Sequence, residues 1–120
     1  MSSNTGSELS LENLEGLVIN ALEDLKAKEI VSIDTAGVSS VMSRVIIASG
    51  SSNRHTKAVA NSVIMSSKEA GLQPLGVEGQ ANGEWVLVDL GDVVVHVMQQ
   101  ETREFYELEK LWSGQEIDDE

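Results

Sequence analysis

The two apolar runs that meet at residues 85–98, Trp85-Val86-Leu87-Val88-Asp89-Leu90 and Val93-Val94-Val95-His96-Val97-Met98, constrain this chain more than any other feature. Valine's branched Cβ favours a pleated backbone over a helix. The link between the runs is only Gly91-Asp92, and a two-residue link that begins with glycine predicts a type II′ hairpin turn. Side chains alternate between the faces of a strand, and here both alternating sets are largely apolar. One set would face water unless helices cover both sides, so the valines predict a buried hairpin inside an α/β sheet. Trp85 stands at a strand end after Asn82-Gly83. Core packing and partner anchoring weigh equally for it, because tryptophan is enriched among binding hot spots.

The rest of the chain supplies the helices. Leu11, Leu14, Val18, Ala21, Leu22 and Leu25 recur at helical spacing after Ser10, a good N-cap, which predicts a helix over residues 11–28. A short strand over 30–34, a loop at Gly37 and a second strand over 41–48 follow, the second with a Val45-Ile46-Ile47-Ala48 run suited to burial on both faces. Ser52 or Asn53 caps a helix whose inner stripe is Val59, Ala60, Val63 and Ile64, and Gly71 stops it before Pro74. A third strand over 75–78 completes a crossover unit, so the second and third strands are expected to be parallel. A final helix over 102–111 should bury Phe105, Leu108 and Leu111. The expected architecture is a polar, mobile lead-in over 1–10, one α/β domain over 11–112 with a five-stranded mixed sheet flanked by helices, and an acidic tail over 113–120.

Charge narrows the partners. The formal net charge is -12, and residues 101–120 carry eight acids and two bases, half of that total. Affinity for nucleic acid rests on Lys and Arg displacing counterions, so sequence-specific nucleic-acid binding is not expected and a basic protein is. Cysteine is absent, which removes disulfides and thiolate zinc sites. No apolar run approaches the roughly 20 residues that span a bilayer, and the polar opening residues lack a signal segment, so no membrane role and a cytoplasmic address are expected.

Several sequence words occur together and in order: Leu22-Glu23-Asp24-Leu25-Lys26-Ala27 followed by Ile30, Ala48-Ser49-Gly50-Ser51-Ser52-Asn53-Arg54-His55, Gly76-Val77-Glu78-Gly79, Trp85-Val86-Leu87-Val88-Asp89, Gly91-Asp92-Val93, Val95-His96-Val97, and Tyr106-Glu107-Leu108-Glu109-Lys110-Leu111-Trp112. Together they resemble the ribosomal silencing factor family, also called the Iojap family, over residues 14–112. The resemblance implies a non-enzymatic protein without cofactor. Such a protein binds the large ribosomal subunit through the L-fourteen ribosomal protein, blocks docking of the small subunit by its bulk, and represses translation under nutrient limitation. It also implies that Trp85, Asp89, Leu90, Gly91, Asp92, His96, Met98 and Tyr106 lie at or beside that contact. One departure stands out: before the Val45-Ile46-Ile47 strand, members carry an acidic residue where this chain has Ser43 and Arg44.

A nucleotide-binding reading competes with this one. The turn Ser49-Gly50-Ser51-Ser52 lies between a buried strand and a helix start, where backbone N–H groups and the helix dipole can hold a phosphate, with Arg54 nearby. The family's fold is akin to the nucleotidyltransferases, in which such a turn cradles nucleotide phosphates, so a relict nucleotidyltransferase using Gly50, Ser51 and Ser52 is the alternative. Phosphoryl or nucleotidyl transfer needs Mg²⁺ on close carboxylates, yet no Asp-x-Asp or Asp-x-Glu pair follows the turn, and Asp34, Asp89 and Asp92 are isolated. The core is therefore expected to be nucleotidyltransferase-like without the catalytic carboxylates. His55 and His96 lack a third convergent ligand, so no metal site is expected, and a histidine held by hydrogen bonds suits the valine-rich setting of His96. A homodimer joined at a sheet edge is a further expectation to test.

Overall fold

The computed structural model describes residues 9–107; Leu108, Leu111 and the acidic tail, named above, lie outside them. The first helix, α1 (Leu11–Asp24), starts where Ser10 Oγ accepts the Asn13 N–H at 3.0 Å. It ends short of residue 28 because Lys26 adopts the left-handed conformation, φ 62°. The Lys26 N–H then bonds the Glu23 carbonyl and the Ala27 N–H bonds the Leu22 carbonyl. That pattern is a Schellman cap with lysine where glycine usually stands, so the sequence carries no glycine to announce the stop.

The chain turns directly into β1 (Lys28–Asp34). The second strand, β2 (Arg44–Gly50), begins three residues later than expected. Residues 35–43 instead form a pinned loop, in which the Thr35 carbonyl accepts from Val38 and Ser39 while Ser39 Oγ accepts from Val41. Val41, expected in the strand, is exposed in this loop. Helix α2 (Asn53–Glu69) is capped by Ser52 Oγ and closes in a second Schellman pattern, with Gly71 at φ 90° in the left-handed position. Then come β3 (Gly76–Glu78), β4 (Trp85–Asp89), β5 (Val93–Gln99) and α3 (Gln100–Tyr106).

The five strands form one mixed sheet in the order β1-β2-β5-β4-β3. β2 and β5 are parallel neighbours, and the other pairings are antiparallel. β3 therefore runs in the same direction as β2, as the crossover argument requires. The two strands do not touch, because the connection through α2 steps over β5 and β4. The Val-rich hairpin strand β5 takes the central place beside β2.

Helices α1 and α2 pack on one face of the sheet. There Leu14, Val18, Leu22, Val59 and Val63 meet Ile46, Ala48, Val86, Val88, Val93, Val95 and Val97 in the main core. The opposite face carries a smaller buried cluster of Val45, Ile47 and Met98, bordered by Ile33, Met42 and Trp85. Both faces of β2 and β5 are thus buried, which is why both alternating sets are apolar. Arg44, at the position of the family departure, joins the layers: its guanidinium approaches Glu15 of α1 at 3.5 Å and Asp34 of β1 at 3.3 Å.

Phe105 is a correction. It is 77% exposed, whereas Arg103 is the buried residue of α3, at 4% exposure. Two helical steps of about 100° place residues 103 and 105 on nearly opposite sides, so a helix docked through Arg103 turns Phe105 outward. The Arg103 guanidinium donates to Ser49 Oγ at 2.8 Å and lies 3.8 Å from Glu29, tying the helix to the ends of β2 and β1.

Candidate functional site

The hairpin register sets Trp85 opposite Met98, Leu87 opposite His96 and Asp89 opposite Val94, all on the sheet face away from α1 and α2. Trp85 and His96 are diagonal neighbours on that face. The Trp85 Nε1–H donates to His96 Nδ1 at 3.0 Å, and the rings lie 5.9 Å apart at a 49° tilt. Because Nδ1 accepts this bond, the neutral ring carries its proton on Nε2. His96 is only 6% exposed, and burial pushes its pKa down to about 4. At neutral pH it is an uncharged acceptor that fixes the indole. This is the hydrogen-bonded role expected from its valine-rich neighbourhood.

At the other end of the hairpin, Gly91 adopts φ 95° at the first position of the link, as a turn beginning with glycine demands. Asp89 Oδ1 accepts the Gly91 N–H at 2.9 Å, so this isolated carboxylate builds the turn. The Asp92 carbonyl accepts from the Ser43 and Arg44 N–H groups at 2.7 and 3.0 Å, which ties the turn to the start of β2. Ser43 and Arg44 thus take up a structural task.

Seven of the eight residues assigned to partner contact divide between the two ends of the hairpin, and His96 lies midway, opposite Leu87. Trp85 and Met98 lie at one end with α3; Asp89, Leu90, Gly91 and Asp92 lie at the other, about 13 Å away at the rise of a strand. Leu90 and Met98 are core residues, 3% and 0% exposed. Trp85, Asp89 and Gly91 are half-buried, and Asp92 is open to solvent. Tyr106 closes the α3 backbone, and its side chain lies outside the described set. Sequence reasoning missed three exposed apolar residues that share the turn end, Val38, Val41 and Leu75. Only their position in loops could have signalled them, since each reads as a strand or core residue by type.

The Ser49–Ser52 turn is occupied by its own protein. His55 Nδ1 accepts the Ser51 N–H at 2.9 Å, and the other ring nitrogen, Nε2, lies 2.6 Å from the Leu25 carbonyl. Ser52 Oγ caps His55, and the Asn53 side chain donates to the Asn82 carbonyl at 2.8 Å. Gly50 packs against α2 so closely that an added Cβ would sit 2.9 Å from Thr56 Cα and N. Two donors that a phosphate there could use, the Ser51 and His55 N–H groups, are engaged within the loop itself, and Arg54 is exposed at its margin. Among the described residues no three histidine, aspartate or glutamate side chains group as metal ligands. Nor is any helix of the described residues long and apolar enough to cross a membrane.

The sequence model of the family described as "Ribosomal silencing factor during starvation" matches residues 8–120. The chain is 50% identical over 107 residues to the ribosomal silencing factor RsfS of Chromobacterium violaceum, covering 89% of this chain and 88% of that protein. It is 42% identical over 96 residues to the factor of the same name from Haemophilus influenzae, covering 80% and 94%. A mouse protein named "Mitochondrial assembly of ribosomal large subunit protein 1" is 32% identical over 106 residues, covering 86% of this chain and 46% of that one. A crystal structure of a Chromobacterium violaceum protein superposes with a TM-score of 0.87 at 49% identity, covering 92% of each chain.

Proposed function

The chain belongs to the ribosomal silencing factor family, and from that premise we propose that it binds the large ribosomal subunit through the L-fourteen ribosomal protein and keeps the small subunit from joining. The result is repressed translation when nutrients are scarce. The observation that carries this reading is the family match over residues 8–120. The name of the mouse relative, which refers to assembly of the large subunit, supports the choice of subunit. The acidic surface, at a net charge of -12, favours a basic protein over the phosphate backbone of RNA as the direct contact.

Steric exclusion needs no catalytic group. It needs a surface large and firm enough to hold, commonly about 1,200 to 2,000 Å² in total with a few aromatic or apolar anchors. Trp85 suits an anchor because His96 fixes its indole in advance, so little side-chain freedom remains to be lost on docking. The protein acts without a cofactor and in the cytoplasm, where ribosomes assemble and are held in reserve. Centrifugation through sucrose with separated subunits tests the reading: the protein should pellet with the large subunit and stay in the supernatant with the small one. Equal recovery with both, or with neither, would refute it.

A further inference from the structure

We propose that the groove between α1 and the C-terminal end of α2 is a docking site for a basic amphipathic helix of another protein, with Gly16 as the point of closest approach. The two helices run antiparallel: Ser62 Oγ of α2 donates to the Ala21 carbonyl at 3.1 Å, and the His55 ring at the start of α2 meets the Leu25 carbonyl just past the end of α1. They flank a groove of about 680 Å³, lined along α1 from Leu9 to Asp24 and on α2 by Ser66, Glu69 and Ala70. Glu12, Gly16, Asn20 and Asp24 follow one another at four-residue steps, so the groove runs about 18 Å down one helical face. It lies in the helical layer, on the side of the sheet opposite Trp85, and the proposal is independent of the ribosomal reading above.

Gly16 has no task inside the molecule. A glycine within a helix weakens it relative to alanine, because the unfolded chain has more freedom to lose. Glycine serves inside an element where another group must come close to the backbone. At Gly50 that group is visible, since an added Cβ would strike Thr56. At Gly16 an added Cβ would meet nothing within 4 Å, and the backbone there is not in the left-handed region. The residue is exposed, and it sits midway along the groove. Bare backbone at that point lets a second helix approach at the short end of the 8–10 Å range of helix packing distances. Leu9 and Leu17 are half-buried and Ala21 is buried, so they give the approach an apolar floor.

Charge selects the occupant. Glu12, Asp24 and Glu69 rim the groove, all three exposed and none in an ion pair among the described residues, and no Lys or Arg lines it. The last carbonyls of α2 beside Glu69 add the negative end of the helix dipole. A second copy of this chain would bring the same carboxylates against themselves. The chain's own residues 108–120 carry five acids and one base, so they are repelled as well. A helix with a narrow apolar stripe flanked by Lys or Arg meets both the floor and the rim.

The test uses a fluorescein-labelled amphipathic peptide of leucine, alanine and lysine, about 18 residues long so that it can hold a helix across the groove. Its anisotropy is followed at about 0.15 M salt with the full chain, with Gly16→Leu, and with Asp24→Asn combined with Glu69→Gln. The parent should bind this peptide and not its counterpart with glutamate in place of lysine. Gly16→Leu keeps every charge but fills the groove, and should weaken binding by about fivefold or more. The same variant should raise the melting temperature by about 4 °C, since leucine is the better helix former and meets no neighbour, so the lost binding is not lost folding. The double charge variant should also bind more weakly and respond less to salt. Equal binding by parent and Gly16→Leu would show that charge alone attracts the peptide, and would overturn the proposal. So would a parent that does not bind it, or a Gly16→Leu melting temperature below the parent's, which would assign the glycine to the fold. If sedimentation velocity showed the parent self-associating and Gly16→Leu monomeric, the groove would belong to a second copy and the proposal would be wrong.

Discussion

His96 shows how a single buried side chain couples the sheet face to pH. Its folded pKa of about 4 lies below the ordinary 6.5 because burial disfavours the imidazolium, and protonation at Nδ1 would also set a second N–H against the Trp85 donor. The unfolded chain therefore binds the proton more readily. The stability contributed by neutral His96 is complete above about pH 6.5 and falls as the pH drops toward 4. Between pH 7 and pH 5 the loss from this residue should be about 2 kcal/mol. Urea unfolding at the two pH values measures it, and His96→Gln, which keeps an acceptor but does not titrate, should remove most of the difference. An equal pH dependence in parent and variant would show that His96 is not its source.

At the scale of elements, the junction of β2 with α2 separates the two readings of the Gly50 turn. If Gly50 serves helix packing, Gly50→Ala forces a methyl group against the backbone of Thr56 and should cost about 2 to 3 kcal/mol of folding stability. If it served a phosphate cradle, the variant would keep its melting temperature and lose only ligand affinity. Thermal unfolding of the variant distinguishes these. The Ser52 cap was legible from residue type, as were the Ser10 cap, the Gly71 stop and the hairpin, because each depends on local chemistry. The stop of α1 was not, because a lysine fills the left-handed position. Nor was the inward face of α3. Hydrophobicity pointed to Phe105, but the helix docks through Arg103, whose guanidinium finds Ser49 fifty-four residues away in sequence. Strand order depends on the same kind of distant contact: the crossover fixed the relative direction of β2 and β3, and only packing could insert β5 and β4 between them. In the candidate site, the Trp85–His96 pair lies in strands legible from residue type, whereas the exposed loop was not legible, since Val41 has the composition of a strand and lies outside one.

On the scale of the whole molecule, the fold presents a sheet-side hairpin with a pre-fixed indole at one end and a rigid apolar rim at the other, within an acidic body. Attraction between such a body and a basic partner weakens with added salt, since exposed charges are screened beyond about 8 Å at physiological ionic strength. In the complex we propose, apolar contacts would set how long it lasts. Under the proposed function, blocking is a matter of occupied space, which would require stoichiometric protein and no turnover. Light scattering during reassociation of separated ribosomal subunits reads this directly. Protein added in slight excess over large subunits should suppress the rise in scattering in proportion to the large subunits occupied, and preincubation with the small subunit alone should have no effect. Reassociation at the full rate and extent with the large subunits saturated would contradict the steric mechanism.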